Sequence, residues 1–353
     1  MPWNKVVGQP LSRWMSDGGN HADVVLSSRI RLARNIDGVP FPHRLDPRRA
    51  EAVVKQIEAG VKEINLLGLG SKVELYPLSK ASGLERQILV EKHLISPHLA
   101  QSAQGRAVAI SDDEGISVMV NEEDHLRIQI LLPGQQLDQA WELASKIDDA
   151  LEVKVPFAFH QQRGYLTACP TNLGTGLRAS VMVHLPGLVL TGKANDLLTA
   201  LGQSRLVVRG LYGEGSDALG NLFQISNQLS LGHSEDEIIR HLDQVTNQVV
   251  EHEHRAREAL HRELGEQLED RLHRAFGLLS QARIISSDEA MRLLSDVRLG
   301  VDLGLLPHVK VQALNELLVS TRPAFLQNQA GHEFSPRERD VRRATLIRER
   351  LSA

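Results

Sequence analysis

The segment Cys169–Arg178, with the sequence CPTNLGTGLR, combines a thiol, two closely spaced glycines and an arginine. Gly174 and Gly176 carry no side chain, so a ligand can approach their backbone N–H groups closely. We expect a strand over Leu166–Ala168 to enter this loop and a second strand to leave it. A lone glycine-rich loop is weak evidence for a site, but the thiol and the charge of Arg178 favour a site for anions.

Apolar residues at every second position predict strands on both sides of this loop. In the first such strand, one face is expected to hold Leu26, Ile30 and Leu32, and the other Ser27, Arg29 and Arg31. Further predicted strands carry Arg127, Arg178 and Arg209. The simplest interpretation of each arginine alone is a charge on the protein surface. Together they would line a polyphosphate, because the planar guanidinium grips phosphate oxygens in pairs and keeps its proton.

Helical periodicity lies between and after these strands. A helix is expected to start at Asp46-Pro47, and from Ser234 onward the strand signal is weak. We therefore predict an α+β fold, with an antiparallel sheet flanked by helices over residues 1–252. An all-helical domain over residues 253–353 would follow, and we expect it to dimerise.

The composition restricts the class of protein. The chain has 353 residues, 42% of them hydrophobic and 24% charged, as in soluble globular proteins. A formal net charge of -4 argues against direct nucleic-acid binding through bulk charge. The single cysteine cannot form an intrachain disulfide, which fits the cytoplasm, and no apolar run is long enough for a membrane span.

Two shorter motifs do not predict functional sites. The segment Gly187–Lys193 matches the start of a P-loop, but Ala194 replaces the hydroxyl residue that would hold Mg²⁺. His252 and His254 have no nearby partners for a tetrahedral site, so a solvated helix is favoured and no metal site is predicted.

Three carboxylates lie in the polar turn Asn121–His125, just before Arg127. In phosphoryl transfer the protein mainly positions the reactants and neutralises charge. Carboxylates beside an arginine cluster would either hold Mg²⁺ or bind and deprotonate the acceptor. Both roles remain open on these residues alone.

Four segments, in the same order along the chain, resemble motifs of the phosphagen (guanidino) kinases. Asn121–Arg127 and Cys169–Arg178 resemble the two signature motifs of that family. Ser27–Arg31 is similar to its S-[ST]-R-V-R strand, and Arg209-Gly210 to its R-G-T loop. The resemblance extends from about Val24 to beyond Ile225.

The resemblance implies roles for individual residues. Binding of ATP, with Mg²⁺, is implied for Ser27, Ser28, Arg29, Arg31, His93, Arg127, Arg178 and Arg209, with His93 on the adenine side. Glu123 corresponds to the carboxylate that clamps and deprotonates the guanidinium, and Glu122 is its neighbour. Cys169 corresponds to the reactive cysteine, and Glu214 to a second guanidinium-binding carboxylate. Met182 replaces a histidine of creatine kinases, so creatine specificity is not supported.

Two departures from the small-molecule kinases change the expected acceptor. Those enzymes have a helical N-terminal domain with a closing loop, whereas only 26 residues precede Ser27 here. They also lack a counterpart of the helical region after residue 250. The arrangement is similar to the bacterial protein-arginine kinases, which implies arginine side chains of proteins as acceptors. It further implies a stress-gene repressor as substrate, links to the Clp chaperone–protease system and a zinc-finger activator protein. The alternatives are a kinase for free arginine and a non-catalytic Clp adaptor.

The arginine-rich tail suggests a second binding site. A helix would place Asp340 and Arg343 on one face, with Arg339 one turn before Arg343. The segment Arg339–Ala344 resembles the R-D-x-x-R-A motif by which protein-arginine kinases bind phosphoarginine outside the active site. A solvated helix with internal salt bridges is the other interpretation.

Overall fold

The computed structural model describes residues 3–16, 18–210, 218–328, 330 and 333–352. Its strands are β1 (Val25–Arg34), β2 (Val73–Pro77), β3 (Ala107–Ser111), β4 (Ile116–Val120), β5 (Leu126–Pro133), β6 (Phe159–His160), β7 (Gly164–Tyr165), β8 (Leu177–His184), β9 (Leu206–Gly210) and β10 (Leu222–Asn227). Its helices are α1 (Asn4–Gly8), α2 (Pro47–Leu66), α3 (Gly83–Glu91), α4 (Pro97–Gln101), α5 (Leu137–Glu152), α6 (Pro186–Leu190), α7 (Ala194–Gln203), α8 (Glu235–Leu264), α9 (Glu266–Gln281), α10 (Ser287–Asp302), α11 (Val311–Ser320), α12 (Pro323–Asn328) and α13 (Pro336–Leu351).

Eight of the described strands form one sheet in the order β2-β3-β4-β5-β1-β8-β10-β9. Every neighbouring pair is antiparallel, and β1 lies between β5 and β8. The predicted α+β fold, an antiparallel sheet flanked by helices and followed by a helical region, is confirmed.

The predicted strand at Leu166–Ala168 is wrong, since β7 ends at Tyr165. Among these three described residues, only Leu166 keeps a backbone partner, since its N–H donates to the Ala158 carbonyl at 2.9 Å, and side chains make the other bonds. Asn35 Nδ2 donates to the Leu166 carbonyl at 2.9 Å, and the Ala168 N–H donates to Asp124 Oδ1 at 2.7 Å.

The two faces of the sheet differ in chemistry. On one face Ile30 and Leu32 are fully buried in a core that includes residues of α2, α5 and α8. The opposite face carries Arg29 and Arg31. Leu26 was expected beside Ile30, but it packs with Leu131 and Met182 in a separate cluster. A register irregularity between Val25 and Ser27 interrupts the alternation of β1, so Leu26 faces the other side.

Helices α9 to α13 enclose a second apolar core. This helical region is attached to the sheet domain by buried hydrogen bonds: the Glu91 carboxylate accepts from the N–H groups of Ala324 and Phe325 at 2.9 and 3.0 Å. The predicted boundary between residues 252 and 253 lies inside the 30-residue helix α8 and stays a prediction. None of the described helices is both long and apolar enough to cross a membrane.

Candidate active site

The turn between β4 and β5 separates two neighbouring carboxylates. Asn121 has a positive φ of 58°, which turns the chain tightly before Glu122. Glu122 points inward, where it accepts from Ser96 Oγ at 2.6 Å and pairs with Arg127 Nη1 at 2.7 Å. Its side chain is 4% exposed, whereas that of Glu123 is 41% exposed and lies 3.6 Å from Arg127. Glu122 therefore holds Arg127 in place, and Glu123 is available to a ligand.

Asp124 joins this turn to the loop that contains Cys169. Its Oδ1 accepts from Asn35 Nδ2 at 2.6 Å and from the Ala168 N–H at 2.7 Å. Burial raises the pKa of Asp124, while these two hydrogen bonds and nearby Arg127 favour the ionised form. The bond to Ala168 brings the neighbouring residue, Cys169, towards Glu123.

The two glycines of the Cys169 loop are required by close backbone packing. Gly176 has φ of 67°, and a Cβ there would lie 2.6 Å from the Ala33 carbonyl oxygen. Gly174 has φ of 104°, and a Cβ there would lie 2.9 Å from the Ser230 carbonyl oxygen. Any larger residue would push the loop away from β1 or from the segment after β10. These contacts fix the start of β8, and with it Arg178.

Four arginines meet on one face of three adjacent central strands. Arg31 of β1 lies directly opposite Arg178 of β8, and Arg127 of β5 lies opposite Ala33. Arg29 donates to Ser180 Oγ at 3.3 Å and to Gln224 Oε1. Within the described part of the chain, the buried Nε atoms of Arg31 and Arg178 have no hydrogen-bond partner.

Burial, and then repulsion from neighbouring arginines, lowers the pKa values of Arg29, Arg31 and Arg178. Burial is the largest cause for Arg29, whose pKa falls to about 10, and repulsion from Arg127 and Arg178 adds to it. The pKa of Arg31 is lowered further by burial and by repulsion from Arg29, Arg127 and Arg178. An anion placed among them would relieve this repulsion, since opposite charge favours the protonated form.

Two cavities meet at this cluster. The smaller, of about 140 Å³, is lined by Glu123, Cys169, Asn172, Arg178 and their neighbours. The larger, of about 740 Å³, extends past Arg29, Gln129 and His93. Arg31 and Arg127 line both. The larger cavity has the volume of a typical small-molecule site, so a long ligand in it would have one end beside Glu123 and Cys169.

The two serines and the histidine predicted for ATP differ in position. Ser27 and His93 line a small cavity with Arg29, and His93 also lines the larger one. The pKa of His93 is lowered to about 3 by burial and by the nearby Arg29 and Arg322, so its imidazole is neutral. Ser28 lies away from this group, because its Oγ donates to the Gly134 carbonyl and accepts from the Gln136 N–H, both at 2.9 Å.

The remaining predicted residues lie at the margins. Arg209 is exposed on the edge strand β9, opposite Gln224 of β10. Glu214 lies outside the described residues. In the tail, Arg343 is buried and donates to the carbonyl oxygens of Thr321 and Ile285 and to Asp340. Arg339 lines the larger cavity, apart from these contacts.

Several supporting residues were not predicted from the sequence. Ser96 fixes Glu122, Gln224 fixes Arg29, and Asp124 fixes the Cys169 loop. Asp124 lies inside the Asn121–Arg127 motif, so its position in the sequence could have indicated a role at the site. Ser96 and Gln224 are single polar residues distant in sequence, and only the fold brings them to the site.

A row of arginines beside an accessible carboxylate and a thiol, on an antiparallel sheet, defines a class of phosphotransferases that act on guanidino groups. Residues 53–256 match the family model "ATP:guanido phosphotransferase, C-terminal catalytic domain". The chain belongs to this family. Residues 265–353 match a second model, "Protein-arginine kinase McsB C-terminal domain".

Relatives and solved structures agree with this assignment. A protein-arginine kinase of Symbiobacterium thermophilum is 60% identical over all of both chains. One from Bacillus subtilis is 52% identical over 97% of this chain and 93% of its own. The crystal structure of a lombricine kinase matches 71% of this chain and 72% of its own, with 28% identity and a TM-score of 0.57. A taurocyamine kinase from Schistosoma mansoni, with 24% identity, 75% and 40% coverage and a TM-score of 0.60, supports the fold.

Proposed function

We propose that this phosphotransferase is a protein-arginine kinase, which transfers the γ-phosphoryl group of ATP to arginine side chains of proteins. The observation that carries the proposal is the junction of the two cavities at Arg31 and Arg127, with the exposed Glu123 on the acceptor side. The curated relatives with this name that are described above match 97% and 100% of the chain.

The geometry supports a direct transfer. The triphosphate of ATP lies along Arg29, Arg31, Arg127 and Arg178, with Arg209 closing the edge. A guanidinium Nη enters beside Glu123, which takes its proton as the N–P bond forms and the bond from Pγ to the bridging oxygen breaks. ADP leaves, and the product is a phosphoramidate on arginine. A guanidinium is a poor nucleophile because its lone pairs are delocalised, so removal of this proton is the step that Glu123 assists.

Mg²⁺ enters this reaction as part of the substrate, MgATP. In the part of the chain that the structure describes, no group of three His, Cys, Asp or Glu side chains is arranged to hold a metal ion. Mg²⁺ commonly retains several waters and binds substrate phosphates directly. It would neutralise phosphate charge together with the arginines.

Exposed apolar residues support a protein acceptor. Leu229 and Leu231 are 49% and 51% exposed. Between them, Ser230 Oγ donates to the carbonyl oxygens of Thr171 and Leu173, in the Cys169 loop. We infer that a protein chain presenting an arginine to Cys169 also contacts this surface, a contact that free arginine would lack.

The experiment compares acceptors. The chain is incubated with MgATP and either an unfolded protein or free arginine, and phosphate that is stable at neutral pH but lost in mild acid is measured. We expect labelling of the protein. Rapid turnover of free arginine without protein labelling would identify a small-molecule kinase instead.

The wider assignments rest on the resemblance to protein-arginine kinases. We propose that the protein forms a homodimer through the helical region and acts in the cytoplasm. We also propose that it marks proteins and a stress-gene repressor for the Clp chaperone and that a zinc-finger protein activates it. A Clp adaptor without catalysis is the alternative, and equal binding of the Clp chaperone by a Glu123→Gln variant without any transfer in the parent would favour it.

We also propose that Arg339, Asp340 and Arg343 bind phosphoarginine. Asp340 is partly exposed, whereas Arg343 is buried and would act by holding Asp340. Calorimetry with free phosphoarginine should show weaker binding to Asp340→Ala; equal affinity in both forms would remove the proposal.

A further inference from the structure

The larger cavity has two chemically different ends. Arg29, Arg31 and Arg127 form the cationic end, next to Glu123 and Cys169. The other end, lined by α3 and α12, includes the apolar residues Leu84, Val90, Pro323 and Ala324 and the polar residues Gln87 and Gln327. A triphosphate matches the first end and a nucleoside the second, because purine rings are buried against apolar side chains.

The helical C-terminal region supplies one wall of this cavity. Arg322 lies between α11 and α12, and α12 itself contributes Pro323, Ala324 and Gln327. Of the described residues beyond α12, Glu333 and Arg339 also line the cavity. None of these positions belongs to the four motifs that carry the family resemblance.

This wall is firmly attached to the sheet domain. The Glu91 carboxylate accepts from the N–H groups of Ala324 and Phe325 at 2.9 and 3.0 Å. Phe325 is buried in one cluster with Leu131 and Met182, which belong to central strands of the sheet. A residue at the start of α12 is therefore held at a fixed position over the cavity.

The direction of the nucleotide follows from the cavities. Transfer to a guanidinium at Glu123 requires the γ-phosphate at Arg31 and Arg127, where the two cavities meet. The nucleoside then extends away from Glu123, towards His93 and the wall. Arg322 lies near enough to His93 to lower the pKa of its imidazole, which places its charge at this part of the cavity.

We propose that Arg322, together with Pro323 and Ala324, binds the nucleoside half of ATP, so that the helical region completes the nucleotide site. The planar guanidinium of Arg322 packs on the purine ring or the ribose, as arginine does on flat π systems. This inference rests on the transfer of phosphate from ATP, and it does not depend on whether the acceptor is a protein.

Calorimetry of the full-length chain tests this proposal without any acceptor. MgATP and magnesium tripolyphosphate are titrated into the parent, Arg322→Ala, Arg322→Lys and the control Arg337→Ala. Arg337 is an exposed arginine of the same region that does not line the cavity. We expect Arg322→Ala to weaken ATP about tenfold, which corresponds to about 1.4 kcal/mol, and to leave tripolyphosphate unchanged. Arg322→Lys should recover part of the loss, and Arg337→Ala should match the parent.

Two results would overturn the proposal. The first is an ATP affinity in Arg322→Ala equal to that of Arg337→Ala. The second is an equal loss for ATP and tripolyphosphate, which would assign Arg322 to the phosphates or to folding. If Arg322→Ala has no thermal unfolding transition, Arg322→Gln, which retains more of the side-chain volume, is judged by the same two criteria. Because no acceptor is present, failure here is distinct from failure of protein-arginine transfer.

Discussion

The two faces of the central sheet are built from alternate residues of the same strands, yet they do opposite things. Ile30 and Arg31 are neighbours on β1. Ile30 is fully buried against helices, whereas Arg31 lies among other arginines with its Nε unpaired. Burial of the first stabilises the fold. Burial of the second costs stability unless an anion is bound, as its lowered pKa indicates.

The difference shows that one face of the sheet stabilises the fold while the other carries the charged groups of the site. Strand register places the arginines on one face of neighbouring strands, and the apolar face supplies the free energy that holds the register. The arginine face is thereby preorganised for a polyanion before any ligand arrives. Substitutions on the two faces should consequently have opposite effects.

The largest effect is expected at Glu123, on the functional side. Glu123→Gln removes the proposed proton acceptor but keeps the shape of the side chain, so the rate of protein labelling should fall about 10²- to 10⁴-fold. The free energy of unfolding should change by less than about 0.5 kcal/mol, as for other exposed positions. The control is Glu142→Gln, an exposed glutamate paired with Lys146 on α5. A labelling rate within a few-fold of the parent would exclude Glu123 as the base.

The next comparison uses the neighbours Ile30 and Arg31. Ile30→Ala leaves a core cavity and should lower the free energy of unfolding by about 2–5 kcal/mol. Arg31→Met removes a repelled charge and should leave stability equal or higher. It should raise the Kd for ATP about 10- to 100-fold, the loss typical of a charged hydrogen bond. Urea unfolding and calorimetry measure the two quantities. A larger loss of stability in Arg31→Met than in Ile30→Ala would contradict the separation of roles.

A smaller and more selective effect is expected at the exposed leucines beside the Cys169 loop. Replacing Leu229 and Leu231 with serine should lower kcat/KM for a protein acceptor about tenfold, since two apolar contacts are lost. Any turnover of free arginine should stay at the level of the parent. The matched control is Leu278→Ser, because Leu278 is 52% exposed on α9. Equal losses for both acceptors would mean that these leucines do not contact the protein substrate.

The smallest effect concerns the contribution of His93 to the stability of the protein at acid pH. The pKa of the folded state, about 3, lies below the ordinary value of 6.5, so the unfolded chain binds the proton first as the pH falls. The contribution of His93 therefore lowers stability progressively below about pH 6.5 and is absent above it. His93→Gln should lose less stability between pH 7 and pH 5 than the parent, in urea unfolding with His252→Gln as control. An unchanged slope would show that His93 is protonated in the folded protein.

The strands and the arginine set were predictable because they depend on local patterns. Alternation placed Arg29 and Arg31 on one face, and the motifs identified Glu123 and Cys169. The strand predicted at Leu166–Ala168 failed because Asp124 and Asn35, distant in sequence, bond the Ala168 N–H and the Leu166 carbonyl. The position of Leu26 failed because an irregularity in the register has no signature in hydrophobic alternation.

Contacts between segments distant in sequence were the other features that the sequence could not predict. Nothing in the sequence near Glu91 indicates that it holds the start of α12, and nothing near Arg322 indicates a cavity. Glu122 and Glu123 have the same side chain, and only their different burial shows that Glu122 holds Arg127 while Glu123 is accessible.

The most direct test of the central claim is to locate the phosphate on the product. A substrate protein incubated with the chain and MgATP is digested at neutral pH and sequenced by mass spectrometry with fragmentation that preserves N–P bonds. We predict phosphate on arginine side chains, absent when Glu123→Gln replaces the parent. Phosphate found only on serine, threonine or tyrosine, or only on free arginine added to the mixture, would contradict it.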